Sequence, residues 1–251
     1  MVSLKVNENI ISDVELVIFD KDGTLMDLYI YWANMVNYRV SLAQEKLGFD
    51  ERDKKDIMYA MGVDLENKRL RSEGPVGLKK REIVMQAMID SLQELGFKDT
   101  YDLCLEIFKE VDRQSIDHLP DIIQPIDGMY ALVNALNEND CKIAIATTDK
   151  TERAKLAMQF LCIEEKVDFV VGADMVENCK PAPDMVELIL KELAMDKRNA
   201  VMVGDAITDV EMGINAGLLA CIGVCSGLTS NARLKQKTSI VVEDISHIEV
   251  V

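Results

Sequence analysis

The stretch Leu16-Val17-Ile18-Phe19-Asp20-Lys21-Asp22-Gly23-Thr24-Leu25 constrains the fold more than any other part of the chain. Four consecutive apolar residues read as a strand buried on both faces, which belongs in a parallel sheet covered by helices. Asp and Gly are poor strand formers, so the strand should stop at Asp20. In open parallel sheets ligands bind just beyond the carboxyl ends of the strands. Asp20 and Asp22 are therefore delivered to the place where such a fold does chemistry, and Gly23 lets the backbone turn and approach a ligand closely. Taken alone, the same residues also read as an ordinary polar turn.

Downstream the pattern changes twice. From Met26 to about Leu119 it is helical: Leu28 to Leu47 ending at Gly48, Asp53 to Met61, Lys79 to Leu95 stopping at Gly96, and Tyr101 to Ile116, with no strand among them. A simple crossover between two strands needs far less chain. The segment reads as an inserted all-α domain over 27–120, with hinges near Met26-Asp27 and between Pro120 and Pro125. Residues 1–26 and 121–251 make the other domain.

After Pro125 helices and strands alternate: Gly128 to Leu136, strand Lys142–Thr147, Glu152 to Leu161, strand Asp168–Gly172, a helix opened by Lys180-Pro181-Ala182-Pro183-Asp184, and strand Ala200–Asp205. A capping box, Thr208-Asp209-Val210-Glu211, starts another helix at Thr208. Strands at Leu218–Val224 and Ser239–Val242 close the series. Alternation of this kind means an α/β fold, a Rossmann-like parallel sheet with helices on both faces. Met1 to Asp13 reads as polar and mixed, with no signal-peptide core.

The polar residues collect where this architecture places ligands. Asp20 and Asp22 follow the first strand, Thr147 and Thr148 the second, Lys180 the third, Asp205 and Asp209 the fourth. Hydroxyls and an ammonium suit phosphate oxygens. Carboxylates gathered round a phosphate need a cation between them, and an oxygen-rich set suits Mg2+.

Composition narrows the alternatives. Lys plus Arg is 28 against 44 Asp plus Glu, a net charge of −16, which argues against nucleic acid or an anionic membrane as partner. No apolar run approaches the ~18 residues of a membrane span. The six cysteines, at 104, 141, 162, 179, 221 and 225, contain no C-x-x-C pair and read as reduced thiols of a cytoplasmic protein. With only His118 and His247 beside them, Cys221 and Cys225 make no metal set. The densest basic patch is Lys68, Arg69, Arg71, Lys79, Lys80 and Arg81, around Glu73-Gly74-Pro75-Val76-Gly77. It reads either as a grip on a second anionic group or as solvated helix ends.

Asp20-Lys21-Asp22-Gly23-Thr24, Thr147, Lys180-Pro181 and Gly204-Asp205-Ala206-Ile207-Thr208-Asp209 together resemble the four motifs of the haloacid dehalogenase superfamily. Their order and spacing are similar to its phosphatase branch with a helical cap after the first motif, and most of all to phosphoglycolate-phosphatase-like and β-phosphoglucomutase-like members. The resemblance implies an Mg2+-dependent hydrolase of a small phosphorylated metabolite. Asp20 would be the nucleophile, Asp22 the acid and base, and Thr147 and Lys180 further catalytic residues. Asp22, Gly23, Thr147, Thr148 and Lys180 would hold phosphate. Asp20, Asp22 (through its carbonyl), Asp205 and Asp209 would hold the metal, Asp209 directly or through a ligand. Asp209 lies on a first helical turn, where an acid is favoured in any case. Thr148 is equally a helix-capping residue, and Asp149 reads as a helix start. Tyr31 and Trp32 read as cap core.

A sugar-phosphate mutase of the same branch is the alternative. After Met61-Gly62-Val63, where the mutase would present an arginine, the chain reads Asp64-Leu65-Glu66. Dehalogenases of the family lack the acid at the place of Asp22. A phosphorylated signalling receiver also uses Asp, Mg2+, a hydroxyl and a lysine, but is about half this length and has no insert. A non-catalytic phospho-ligand-binding protein would be expected to have lost Asp20 or Asp22. Both monomers and homodimers occur in the family.

Overall fold

The computed structural model describes residues 1–251 except Ser72 and Leu78, and over 115–121 it describes the backbone alone, so the side chain of His118 lies outside the described set. In chain order the elements begin with β1 (Val2–Val6), β2 (Asn9–Val14) and β3 (Leu16–Phe19). The insert holds α1 (Leu28–Leu47), α2 (Glu51–Ala60), β4 (Val63–Asp64), β5 (Arg69–Leu70), α3 (Arg81–Glu94) and α4 (Tyr101–Ile122). Beyond it come α5 (Met129–Glu138), β6 (Lys142–Ala146), α6 (Thr151–Phe160), β7 (Phe169–Val171), α7 (Asp184–Glu192) and β8 (Ala200–Gly204). The chain ends with α8 (Ile207–Ala216), β9 (Ala220–Val224), α9 (Asn231–Leu234), β10 (Ile240–Val242) and β11 (Ile248–Val250). Two compact units result: Met1–Asp27 with Ile123–Val251, and Leu28–Ile122.

The first unit is built on a six-stranded parallel sheet of order β10-β9-β8-β3-β6-β7. β3 lies in its middle: Leu16 pairs with both Lys142 and Ala200, and Phe19 with both Ile145 and Val203. All four residues of β3 are buried, as a strand covered on both faces must be. From β3 the chain builds outward through β6 and β7, then returns to β8 and builds the other way through β9 and β10. That reversal is a topological switch point, and the crevice it opens lies at the carboxyl ends of β3, β6 and β8. Leu16, Ile18, Ala144, Ala146, Met202, Val210 and Met212 pack with Met185, Val186 and Ile189 of α7 into one apolar layer. Full burial of side chains of this size stabilises by roughly 1.5–3 kcal/mol each.

Met1 to Asp13, polar and mixed in composition, carries regular structure that its sequence did not announce: β1 and β2 form a hairpin, and β11 pairs antiparallel with β1 in a separate sheet of order β11-β1-β2. Val2, Leu4 and Val6 alternate inward while Lys5 faces out, the period of a half-buried strand. Asn7 takes the left-handed conformation that a tight hairpin turn needs. The insert, in turn, is not purely helical. Val63 pairs with Leu70 and Asp64 with Arg69, because the Asp64 carboxylate accepts from Asn67 N (3.1 Å) and Nδ2 (2.9 Å) and stabilises the turn between them. Lastly, α8 begins at Ile207 rather than Thr208. Asp209 Oδ2 accepts from Ala206 N at 2.9 Å, so Asp209 caps from inside the first turn and Thr208 is a helical residue.

In the second unit α1 runs over the expected Leu28–Leu47, and α4 continues past Ile116 to Ile122, which is buried. Tyr31 is buried and meets Trp32 edge to face at 5.1 Å, a packing role. Half of the basic patch is engaged within the unit. Arg69 Nε lies 3.3 Å from Asp64 Oδ2; Arg71 donates to Tyr59 O at 2.9 Å and covers the Tyr59 ring; Arg81 pairs with Asp112. Among the described residues no helix is long and apolar enough to cross a membrane. None of the six cysteines is in a disulfide; Cys162 and Cys179 are exposed.

Candidate active site

The loop after β3 begins one residue beyond Phe19 and is closed by its own backbone. Asp20 N donates to Val203 O (2.9 Å), Gly23 N to Met26 O (2.9 Å), and Leu25 and Met26 N to Lys21 O. Asp20 is thereby fixed at the sheet edge between β6 and β8. Lys180 arrives from the segment between β7 and α7. Its Nζ lies 2.6 Å from Asp20 Oδ1 and 2.6 Å from Asp209 Oδ1, and its side chain is 2% exposed. Asp205 follows β8, and Asp209 lies on the first turn of α8.

Asp20, Asp205 and Asp209 each offer a carboxylate oxygen, all within 4.8 Å of one another and all buried. Three carboxylates facing one ammonium leave two negative charges in a dry site. Burial raises the Asp205 carboxyl well above the ordinary range, and the charges of Asp20 and Asp209 raise it further. Burial likewise raises Asp20, against the pull of Lys180. For Lys180 burial alone would lower the ammonium, but Asp20 and Asp209 outweigh it and hold the group above its ordinary value. A hard divalent cation with oxygen ligands fits this donor set and this charge deficit.

The space for Asp205 is kept by glycines. Gly23 has φ of +88°, and a Cβ there would stand 2.9 Å from the Asp205 carboxyl carbon. A Cβ on Gly227 would stand 1.8 Å from Asp205 Oδ2. The Gly23 N–H is spent on Met26 O and its carbonyl accepts from Ser226 Oγ at 2.7 Å, so Gly23 supplies room rather than a phosphate donor. The loop after β9 is the part that sequence reading missed. Ser226 ties it to Gly23, and Leu228 N donates to Asp205 Oδ2 at 3.0 Å. A glycine just beyond a fifth strand at the same sheet edge was the available signal.

Thr147 is fully buried at the end of β6. Its Oγ1 accepts from Asp149 N at 3.2 Å, which leaves the hydroxyl proton to donate. Thr148 is exposed, and Lys150, not Thr148, holds the N-cap position of α6. The Asp22 side chain is not among the clustered carboxylates: its Oδ1 lies 2.6 Å from Lys21 Nζ. Burial raises the Asp22 carboxyl and Lys21 opposes that rise. Thr24 Oγ1, next along the loop, is buried with no hydrogen-bond partner.

Comparison with known proteins agrees with this geometry. A probable phosphatase, IndB of Dickeya dadantii, is 27% identical over 235 residues, 93% of this chain and 91% of that one. Pyrophosphatase PpaX of Halalkalibacterium halodurans is 34% identical over 105 residues, 42% of this chain and 49% of that one. The match thus spans about half the length of that relative. Among solved structures, a predicted phosphoglycolate phosphatase of Haemophilus somnus superposes with a TM-score of 0.71 at 16% identity, covering 94% of this chain and 96% of that one. A β-phosphoglucomutase of Clostridium difficile superposes at 0.57 with 19% identity, covering 93% and 92%. At these identities the structures speak for the fold. The profile of the haloacid dehalogenase-like hydrolases matches residues 14–217, from the strand that carries Asp20 to the end of the helix that carries Asp209, and the chain belongs to that family.

Proposed function

We propose that this hydrolase is an Mg2+-dependent phosphatase that cleaves a small phosphate monoester through an aspartyl-phosphate. The observation that carries the reading is the Lys180 ammonium, 2.6 Å from both Asp20 and Asp209, with Asp205 beside them. Asp20 Oδ attacks phosphorus as the bond to the leaving oxygen breaks, and Asp22 gives that oxygen its proton. Water then attacks the aspartyl-phosphate, gives a proton to Asp22, and phosphate leaves with Asp20 regenerated. Lys180 neutralises charge at the attacking carboxylate, and the Thr147 hydroxyl donates to a phosphoryl oxygen. Mg2+, held by Asp20, Asp205, Asp209 and the Asp22 carbonyl, would supply the positive charge that lets a carboxylate meet a phosphoryl dianion. Catalysis then rests on positioning and electrostatics.

The similarity to phosphoglycolate-phosphatase-like and β-phosphoglucomutase-like members supports phosphoglycolate or a small sugar phosphate as substrate, and the relatives named as pyrophosphatases add pyrophosphate as a rival. Phosphate release from such a panel, with Mg2+ and with EDTA, tests the reading. Turnover should require Mg2+, and Asp20→Asn should abolish it while the fold survives. A substantial rate in Asp20→Asn would move the nucleophile to water.

A further inference from the structure

The two acids of the first loop do not share a lysine. Asp20 faces Lys180, whereas the Asp22 carboxylate is held by its own sequence neighbour. Lys21 is 3% exposed; its Nζ lies 2.6 Å from Asp22 Oδ1 and 3.6 Å from Asp149 Oδ2, with Met26 Sδ at 3.9 Å behind it. Asp149 is itself held in place. Its N–H donates to Thr147 Oγ1 (3.2 Å), its carbonyl accepts from Ala173 N (2.9 Å), and its Oδ1 accepts from Lys150 N (2.8 Å). Arg153 Nε lies 3.6 Å from Asp149 Oδ2. Charges therefore alternate from Arg153 through Asp149 and Lys21 to Asp22. The outer end, Arg153 and Asp149, is anchored on the start of α6, and Lys21 is the most deeply buried member.

We propose that Lys21, braced by Asp149, is a positioning residue for Asp22. The ammonium pins Oδ1 and so fixes the carboxyl plane, leaving Oδ2 as the oxygen that exchanges protons with the leaving group and with water. An unpinned carboxyl would sample several rotamers, and small misplacements of a reacting group are costly. This inference rests on the reading of Asp22 as the acid.

The consequence is specific to the leaving group. An alkyl leaving oxygen must receive a proton as its bond to phosphorus breaks. The p-nitrophenolate of p-nitrophenyl phosphate departs without one. kcat/KM reports the steps up to formation of the aspartyl-phosphate, where that difference lies. The experiment measures kcat/KM for β-glycerol phosphate and p-nitrophenyl phosphate in the Mg2+-loaded protein and in K21M, D149N and D22N, with circular dichroism to verify folding. D22N should lose most on the alkyl ester, within the roughly 10²–10⁴-fold that general acid catalysis contributes. K21M should lose about tenfold more on the alkyl than on the aryl ester, and D149N should show a smaller loss in the same direction. Equal losses on both esters in K21M, or none, while D22N remains selective, overturn the role of Lys21 alone. Equal losses in D22N overturn the acid role of Asp22, and this inference with it. If K21M does not fold, D149N decides between the same outcomes.

Discussion

Replacing Lys180 by Met should expose the electrostatics of the site without any assay of turnover. The two 2.6 Å contacts of Nζ are charge-assisted and shielded from water. Hydrogen bonds to charged groups contribute about 1.5–3 kcal/mol each, and breaking a buried ion pair by removing one partner costs about 3–5 kcal/mol. Lys180→Met should therefore lose about 3–5 kcal/mol near neutral pH in EDTA, a large share of the ~5–15 kcal/mol that holds a typical domain folded. The loss should depend on pH with a definite sign. Burial already raises Asp20 and Asp205 above the ordinary carboxylate value. The folded state therefore binds more protons than the unfolded one in the range just above that value, and stability falls as pH rises through it. Removing the ammonium widens this range upward, so the deficit of the variant should shrink as the solution is acidified. Mg2+ should stabilise parent and variant alike, by about 2.7 kcal/mol each at a hundred times the respective dissociation constant, so the deficit shrinks only as far as the variant binds the ion more tightly than the parent. Denaturant titrations at pH 5 and pH 7.5, each with EDTA and with Mg2+, measure all of this. A variant within ~1 kcal/mol of the parent at pH 7.5 in EDTA, or a deficit that grows on acidification, would refute the account.

Two further outcomes follow from the same geometry. Gly227→Ala should weaken Mg2+ binding, read by calorimetry, because its Cβ would stand 1.8 Å from Asp205 Oδ2 and displace that carboxylate; unchanged affinity would mean that Asp205 does not depend on the loop after β9. Burial pushes the thiols of Cys104 and Cys221 up to about 11 and that of Cys141 up to about 12. The unfolded chain therefore ionises first, and stability should fall as pH rises from about 9 towards 11–12, the loss shrinking if these cysteines are replaced by Ser or Ala.

What the sequence disclosed divides along physical lines. The six strands of the parallel sheet were legible because each is a short, mostly apolar run, and β3, β6, β7 and β8 are each ended by Asp, Gly or Thr. The β1–β2–β11 sheet escaped because β2 breaks the alternation, burying only Ile11 and Val14 of Asn9–Val14, and because its third strand lies at the far end of the chain. The β4–β5 hairpin escaped because two-residue strands carry no period at all; a side-chain bond from Asp64 makes the turn. The start of α8 was misplaced by one residue because Thr208 has the composition of a cap while Asp209 does the capping.

The site was legible to a different depth. Asp20, Lys180, Asp205 and Asp209 are separated by up to 189 positions, and the structure brings all four together at one sheet edge. They could be read because each ends or follows a strand that was itself readable as an apolar run, although the order of those strands in the sheet came only from the structure. Lys21 could not, since a lysine between two aspartates has the composition of a solvated turn. What takes it inside is the backbone: Leu25 and Met26 both donate to the Lys21 carbonyl, and Gly23 closes on Met26, so the turn folds back over its own second residue. A lysine buried by such a turn must find a carboxylate or give up its charge. Asp22 and Asp149 provide it from the ends of adjacent strands, an adjacency set by the pairing of β3 with β6 rather than by anything local to residue 21.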